Sequence, residues 1–423
     1  MTRIAQFFFA ALVAATATAF FATQRLKQSP RLVRTLTVTQ AISPHVTYKR
    51  ASIRIRLERA DRVTVSVIDP GDDVVRRLVR NRPYRPDQKI ELLWDGRDAR
   101  GRVVPDGGYR VRIDLRRQGR SVVLRDTITV DGTPPHPVLR VQRERGSEGP
   151  VIFPLRRGGP VRFTVAGTRL RTERLFLYRT DSGRPRFAGR LPLRRARDAR
   201  GAWNGRIEGR PPPPGTYVIV AKDTDDVGNA GFSYPFTAPR RSDPPGGAGV
   251  TVRYLAAQGP QVATRVGQRF TVFIDSRGRR YRWRLRRVGQ TRTIARGTRR
   301  GPVLRLRAPR GPSGLYAVEL ASGAYRTAAL VPVQASGRSR TLLVLPVISW
   351  QARNRVDDDG DGMIDTLPRN GRARLDRPLA AGGVPPGFAA NEEPLLRFLD
   401  RPQQRYDIAT DVMLAGRGGT RLL

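Results

Sequence analysis

LLWDGRDARGRVVPDGGYRVRI, running from Leu92 to Ile113, holds two turns and the opening of a strand. Asp95-Gly96 directly follows the apolar strand end Leu92-Leu93-Trp94. Glycine supplies the positive φ that tight turns need, so Asp-Gly is a strong turn dipeptide. Pro105-Asp106-Gly107-Gly108 builds a second turn, and Tyr109-Arg110-Val111-Arg112-Ile113 then alternates apolar with charged residues. That period of two belongs to a strand with one wet face. Trp94 and Tyr109 fall where a large ring fills a sandwich core.

The stretch recurs. Pro-x-Gly-x-Tyr is found at Pro105–Tyr109, Pro213–Tyr217 and Pro312–Tyr316, at intervals of 108 and 99 residues. An interval near 100 is the size of one immunoglobulin-like sandwich. Trp94-Asp95-Gly96-Arg97 also has its counterpart, Trp203-Asn204-Gly205-Arg206. Trp94, Trp203, Tyr109, Tyr217 and Tyr316 are therefore expected in cores, not in ligand contacts. The pairing of turn tryptophan and strand tyrosine resembles the immunoglobulin-like domain of flagellar-hook-capping (FlgD-type) proteins, seen also in bacterial surface proteins. The resemblance implies a fold and no chemistry.

Turn-rich punctuation then sets the boundaries. The expected organisation is an apolar leader at 1–27 and three sandwich modules at 40–133, 137–238 and 249–334. A Pro/Gly-rich linker at 238–248 would separate the second module from the third. Residues 340–423 change character. Thr341–Ile348 is a continuous apolar run, which suits a strand buried on both faces. Asn391 is a candidate N-cap, with Glu392 and Glu393 behind it. A helical apolar face on Leu395, Leu396, Phe398 and Leu399 comes next, then a strand at Tyr406–Asp411. The fold class is thus mainly β, with three tandem immunoglobulin-like sandwiches and an incomplete parallel α/β segment. Two parallel strands and one helix do not close a core. A partner or a further segment is expected to complete that sheet.

Pro312–Tyr316, Leu345–Ala352, Leu395–Leu399 and Tyr406–Asp411 together resemble the C-terminal domain of the N,N-dimethylformamidase large-subunit family. The resemblance covers roughly residues 310–420. It implies an amidotransferase-like α/β domain and, in active members, hydrolysis of an amide at an iron held by tyrosines and glutamate. Arg353 stands where that family commonly has tyrosine, and its later acidic and aromatic stretch has no counterpart before Leu423. No iron ligand carries over, and no amide turnover is expected of this chain.

Asp357-Asp358-Asp359-Gly360-Asp361-Gly362-Met363-Ile364-Asp365 is the sharpest chemical motif. Asp357, Asp359 and Asp361 occupy loop positions 1, 3 and 5, and Gly362 the turn position. Met363 offers a carbonyl and Asp365 a ninth-position carboxylate. The spacing resembles dockerin, thrombospondin type 3 and EF-hand calcium loops, with Pro368 where the last glutamate would stand. Calcium is the expected cofactor. The alternative is a solvated acidic loop paired with arginines. A weaker calcium alternative at Lys222–Asn229 is set against its reading as an ordinary turn.

The formal charge is +43, and of 79 basic residues just Lys27, Lys49, Lys89 and Lys222 are lysine. Arginines alternate with apolar residues at Arg54–Leu57 and Arg282–Leu285, placing them on solvated strand faces. The other reading is an envelope polyanion partner, with nucleic acid bound non-specifically. The sequence has no cysteine, which excludes disulfides and thiol chemistry. Its two histidines, His45 and His136, both lie in turn contexts and give no support to a catalytic triad.

From Ile4 to Thr23 the chain has 20 residues without charge. That length is near the minimum for a membrane-spanning helix. The expectation is a signal anchor with the bulk of the chain outside the cytoplasm. A cleaved signal using Ala17-Thr18-Ala19, giving a secreted product, is the alternative. These observations together point to a membrane-held binding or structural protein of the cell surface. The runner-up is a truncated amide hydrolase.

Overall fold

Trp94 and Trp203 close their turns in the same way. The indole Nε1 of Trp94 donates to the Arg97 carbonyl at 3.0 Å, and that of Trp203 to Arg206 at 2.9 Å. Gly96 and Gly205 sit at φ 74° and 73°. Asp95 and Asn204 accept from the backbone N–H two residues on. Tyr109 and Tyr217 each donate a hydroxyl hydrogen bond to the proline carbonyl four residues upstream, at 2.8 and 2.9 Å. Such a back-bonded tyrosine locks the corner where the chain crosses between sheets. All five motif aromatics are buried, from 1% exposed at Trp94 to 4% at Tyr109.

The computed structural model describes residues 8–9, 11–20, 32–46, 50–144, 149–167, 174–191, 200–233, 248–337, 339–401 and 404–416. It is mainly β and divides into two compact units, Met1–Pro134 with Thr224–Ala230, and Pro135–Asp223 with Gly231–Leu423.

The first unit is built on one sandwich. Strands β1 (Val33–Val38), β3 (Ala51–Leu57) and β6 (Lys89–Trp94) form one sheet in the order β1-β3-β6. The other contains β2 (Ala41–Ile42), β4 (Asp61–Ile68), β5 (Val74–Tyr84), β7 (Gly107–Leu115) and β8 (Arg120–Val130), ordered β2-β8-β7-β4-β5. Strand β2 runs parallel to β8. The order, with the chain's first strands divided between sheets, is that of an immunoglobulin-like sandwich. Inward residues alternate along β3, where Ile53, Ile55 and Leu57 are fully buried and Arg54 is exposed.

The second unit begins with two further sandwiches. One pairs β9 (Val138–Val141), β11 (Val161–Ala166) and β14 (Arg200–Trp203) as β14-β11-β9. Facing it are β10 (Val151–Phe153), β12 (Arg174–Arg179), β13 (Arg186–Leu191), β15 (Gly215–Thr224), β16 (Ala230–Phe232) and β17 (Gly249–Val252). Their order is β10-β17-β15-β12-β13, with β16 also on β15. The next sandwich has β18 (Ala256–Gln258), β20 (Arg269–Asp275) and β23 (Val303–Arg307) in one sheet, ordered β18-β20-β23. Its second sheet has β19 (Thr264–Arg265), β21 (Tyr281–Arg287), β22 (Thr293–Arg299), β24 (Gly314–Ser322) and β25 (Tyr325–Gln334), ordered β19-β25-β24-β21-β22.

Four expectations need correction. The first sandwich starts before residue 40, because β1 pairs with β3 and Leu32 lies in the core. The second does not end at 238. Strand β17 pairs with β15 and β10, and Ala248, Val250, Val252 and Tyr254 join that sandwich's core. The third therefore starts at β18, not at 249. Residues 238–247 of the expected linker lie outside the described residues. Asn391 does not cap a helix either. That helix runs from Phe388 to Leu399 behind Gly387 at φ 81°, which places Asn391 one turn inside.

Residues after 340 form β26 (Leu342–Leu345) and β27 (Asp407–Thr410), paired in parallel. Between them lie α1 (Val347–Ala352), α2 (Leu367–Asn370), α3 (Ala380–Gly383) and α4 (Phe388–Leu399), and α5 (Asp411–Leu414) comes after β27. Two strands do not make a core, but this segment uses the outer face of β24 and β25. Leu315 and Leu330 pack with Leu345, Trp350, Phe388, Leu396 and Ile408. At the N-terminus, residues 11–20 are helical. Among the described residues no helix is long and apolar enough to cross a membrane. The rest of the apolar run, 4–7, 10 and 21–23, lies outside them.

Trp94→Ala removes a ring that is 1% exposed and lies 5.2 Å, centroid to centroid, from Tyr109. A cost of about 3–5 kcal/mol is expected. It will appear in chemical denaturation as loss of the first unit's transition, whereas Leu93→Ala at the exposed neighbour leaves that transition in place.

Candidate metal centre

The acidic loop leaves α1 through Gln351 and Asn354, both buried. Arg377, 4% exposed, threads beneath it. Its Nη2 donates to the carbonyls of Gln351 at 2.8 Å and Asp365 at 2.9 Å, and its Nη1 pairs with Asp358. The Asp365 N–H donates to the Val356 carbonyl at 2.8 Å and closes the loop.

Within that ring the carboxylates fold over their own backbone. Asp357 accepts from the N–H groups of Gly360 at 2.6 Å and Gly362 at 3.0 Å. Asp359 accepts from Asp361 N–H at 3.0 Å, and Asp361 from Met363 N–H at 2.6 Å. Asp365 accepts from Asp358 N–H at 2.5 Å. Asp357, Asp359 and Asp361 each bring one carboxylate oxygen to within 4.8 Å of the other two. Asp365 is outside that set, and the Met363 side chain enters the neighbouring sandwich core. Of the four expected carboxylate ligands, the fold thus gathers three; the Met363 donor expected is the backbone carbonyl, not this side chain.

The second unit's first sandwich holds this loop from below. Gly249 N–H donates to the Gly360 carbonyl at 2.9 Å. Thr180 Oγ1 donates to the Gly362 carbonyl, and Arg143 Nη2 to the Asp359 carbonyl at 2.9 Å. A Cβ on Gly249 would stand 2.3 Å from Gly362 N and 2.6 Å from the Gly360 oxygen. Glycine is required there for close approach of two backbones.

Docking raises the cost of charge. Burial, then the neighbouring Asp361, holds the Asp357 carboxyl well above the usual carboxylate range. Asp361 is pushed up to about 6 by burial, then by Asp359. Asp365 is pushed up to about 6 by burial, with Asp359, Asp358 and Asp361 adding to it. Among the described residues Asp357, Asp359 and Asp361 form no ion pair. Clustered hard oxygen donors of this kind suit a divalent cation such as calcium, whose charge would offset both burial and repulsion.

Elsewhere the expected chemistry disperses. His45 and His136 are exposed. Tyr406 is buried, and its hydroxyl donates to Asp400 at 2.7 Å. Burial, then that bond, raises its pKa. Arg353 is exposed. In the Lys222–Asn229 turn, Asp225 accepts from the N–H groups of Val227 at 3.0 Å and Asn229 at 2.8 Å, an ordinary side-chain-stabilised turn. Sequence reasoning missed Arg377 and Thr180. Nothing in their local sequence signals a partner far along the chain.

No family description matches the chain, and no curated protein matches it. Among solved structures it is similar to the N-terminal four Ig domains of Dscam1, at 13% identity over 73% of this chain and 74% of that one, TM-score 0.18. It is also similar to an I-band fragment of titin, at 9% identity over 73% of this chain and 100% of that one, TM-score 0.27. The full ectodomain of mouse nectin-like molecule 4 is similar at 18% identity, over 72% of this chain and 99% of that one, TM-score 0.25. The strand order, not these likenesses, carries the fold.

Gly249→Ala is expected to lift the acidic loop from the sandwich. Overpacking of this kind costs about 1–3 kcal/mol. Limited proteolysis should cut within residues 355–365 faster than in the parent, while Gly337→Ala, whose Cβ meets open space, leaves the cleavage rate unchanged.

Proposed function

We propose that this chain is an extracytoplasmic binding or structural protein of serial immunoglobulin-like modules, held at the membrane by its N-terminal apolar segment. Its acidic loop binds one calcium ion, which fastens the C-terminal segment to the sandwich beneath. The observation that carries the calcium reading is the triplet Asp357, Asp359 and Asp361, with oxygens within 4.8 Å of one another. The backbone of the same loop is hydrogen-bonded to Gly249, Thr180 and Arg143. An ion there acts at a distance from its own loop, because ordering the carboxylates orders the carbonyls that meet the sandwich. The outward arginines of β3 and β21 support non-specific contact with an envelope polyanion.

The parallel pairing of β26 and β27 keeps amide hydrolysis as a second reading. It is the weaker one, because Tyr406 and its neighbours are committed to one another. Metal analysis together with amine release from simple formamides separates the two.

Calorimetry on the full chain is expected to give one calcium per chain. The dissociation constant should be about 10⁻⁴–10⁻³ M, the range of extracellular sites with incomplete ligand sets. At a hundredfold excess over that constant the folded state gains about 2.7 kcal/mol, visible as a raised melting temperature of the second unit. Asp361→Ala should abolish both effects. An unchanged titration with Asp361→Ala, or no calcium heat in the parent, overturns the site.

Membrane tethering has its own readout. The 20-residue uncharged run from Ile4 to Thr23 should place the full-length chain in the membrane fraction with its N-terminus intact. A soluble product beginning at Phe20 would make the segment a cleaved signal and the protein secreted.

A further inference from the structure

The second unit contains a cavity of about 580 Å³ where its two sandwiches meet the C-terminal segment. This volume lies in the range of small-molecule sites. Leu255, Ala256, Val356 and Leu379 are among the apolar residues that line it. Tyr325 stiffens the wall, its ring stacked on Tyr254 at 4.2 Å and 13°. A flat apolar body fits such a wall.

The polar groups carry one sign of unspent charge. Arg179 is neutralised by Asp181 through two contacts, at 2.6 and 2.9 Å, and Arg253 pairs with Asp275 at 3.1 Å. Among the described residues Arg326 and Arg355 have no carboxylate partner. Arg355 Nη1 reaches the Asp181 carbonyl at 3.4 Å, and Arg326 Nη1 the carbonyls of Gly323 at 2.8 Å and Tyr325 at 3.2 Å. Both line the cavity and both are exposed. The lining also holds Thr251 Oγ1 and Arg253 Nε, buried without hydrogen-bond partners among the described residues. An unmet buried donor costs about 1–3 kcal/mol, and a ligand oxygen would offset it.

We propose that this cavity binds a small organic carboxylate with a flat apolar body, its anion held between Arg326 and Arg355. The cavity borders the base of the acidic loop at Arg355 and Val356, and anion binding there needs no calcium. Two guanidinium groups without carboxylate partners recognise an anion by charge-assisted hydrogen bonds. The apolar wall removes the ligand's body from water, and neither half of the cavity alone would select this class.

The test is equilibrium dialysis of naphthalene-2-carboxylate against the full chain, with uptake by detergent measured separately and subtracted. Saturable binding of one probe per chain is expected, with the neutral naphthalene-2-methanol at least tenfold weaker. Arg326→Ala with Arg355→Ala should weaken the carboxylate at least tenfold. Both positions are exposed, so the melting profile should match the parent. Arg269→Ala with Arg305→Ala, on exposed arginines that line neither this cavity nor the pocket that Arg326 shares with Arg282 and Arg284, serves as the charge-matched control and should bind as the parent does. Equal binding of acid and alcohol, equal weakening by both arginine pairs, or no saturable uptake overturns the proposal.

Discussion

Arg287 and Asp400 form the contact on which the C-terminal part of the second unit depends. Both side chains are 9% exposed, and the guanidinium meets the carboxylate through two nitrogens, at 2.6 and 2.7 Å. The same guanidinium donates to the Ser313 carbonyl at 2.6 Å and to that of Pro312 at 3.3 Å. Pro312 is the first residue of the third Pro-x-Gly-x-Tyr motif. In the other two copies the motif tyrosine caps the equivalent carbonyl. In this copy arginine does so and Tyr316 lies under it, 5.6 Å from guanidinium carbon to ring centre. Removing one member of a buried pair costs about 3–5 kcal/mol, because the survivor keeps its charge without a partner. The repeat's own corner thus doubles as the anchor for the C-terminal segment.

That anchor explains how a segment with two parallel strands is stable. Strand β25 is buried on both faces from Ala329 to Val333, and β15 from Thr216 to Ala221. An ordinary sandwich strand alternates, since one face meets water. Here Leu315 and Leu330 face α1, α4 and β27, while Val218 lies beneath Gly362 of the acidic loop. The C-terminal segment borrows both sandwiches as its missing layer. Continuous apolar runs, Val218–Val220 and Leu330–Val333, are the sequence trace of that arrangement. They resemble the run at Leu342–Leu345 but fall inside modules, where a half-buried strand would alternate.

What was legible came from chemistry confined to a few residues. Trp94, Trp203, Tyr109, Tyr217 and the Asp-Gly and Asn-Gly turns all find their partners within about four positions, so spacing alone places them. What was hidden needed distant partners. Strand β17 is separated from β16 by residues 233–248, and Pro and Gly in that stretch read as the end of a module when the strand order in fact resumes after it. Strand β1 has an exposure pattern without buried positions, which leaves no alternation to detect. Arg287 did carry a signal. It continues the inward parity of Tyr281, Trp283 and Leu285, so the period of two puts an arginine on the buried face. A charge at buried parity implies a partner, although it does not say which one.

The acidic loop obeys the same logic with the opposite outcome. In a chain of net charge +43, carboxylates should find arginines easily, and Asp358 does find Arg377. Arg143, which also reaches the loop, is spent on a carbonyl, that of Asp359. Buried Asp357, half-buried Asp361 and exposed Asp359 instead fold over the backbone and toward each other. Two things hold them there: hydrogen bonds from N–H groups within the loop, and the sandwich under Gly360 and Gly362. Those bonds favour the charged form, while burial and mutual repulsion oppose it more strongly, since Asp357 and Asp361 are both shifted upward. A small divalent ion at that cluster would let three carboxylates stay ionised where, among the described residues, no arginine pairs with them.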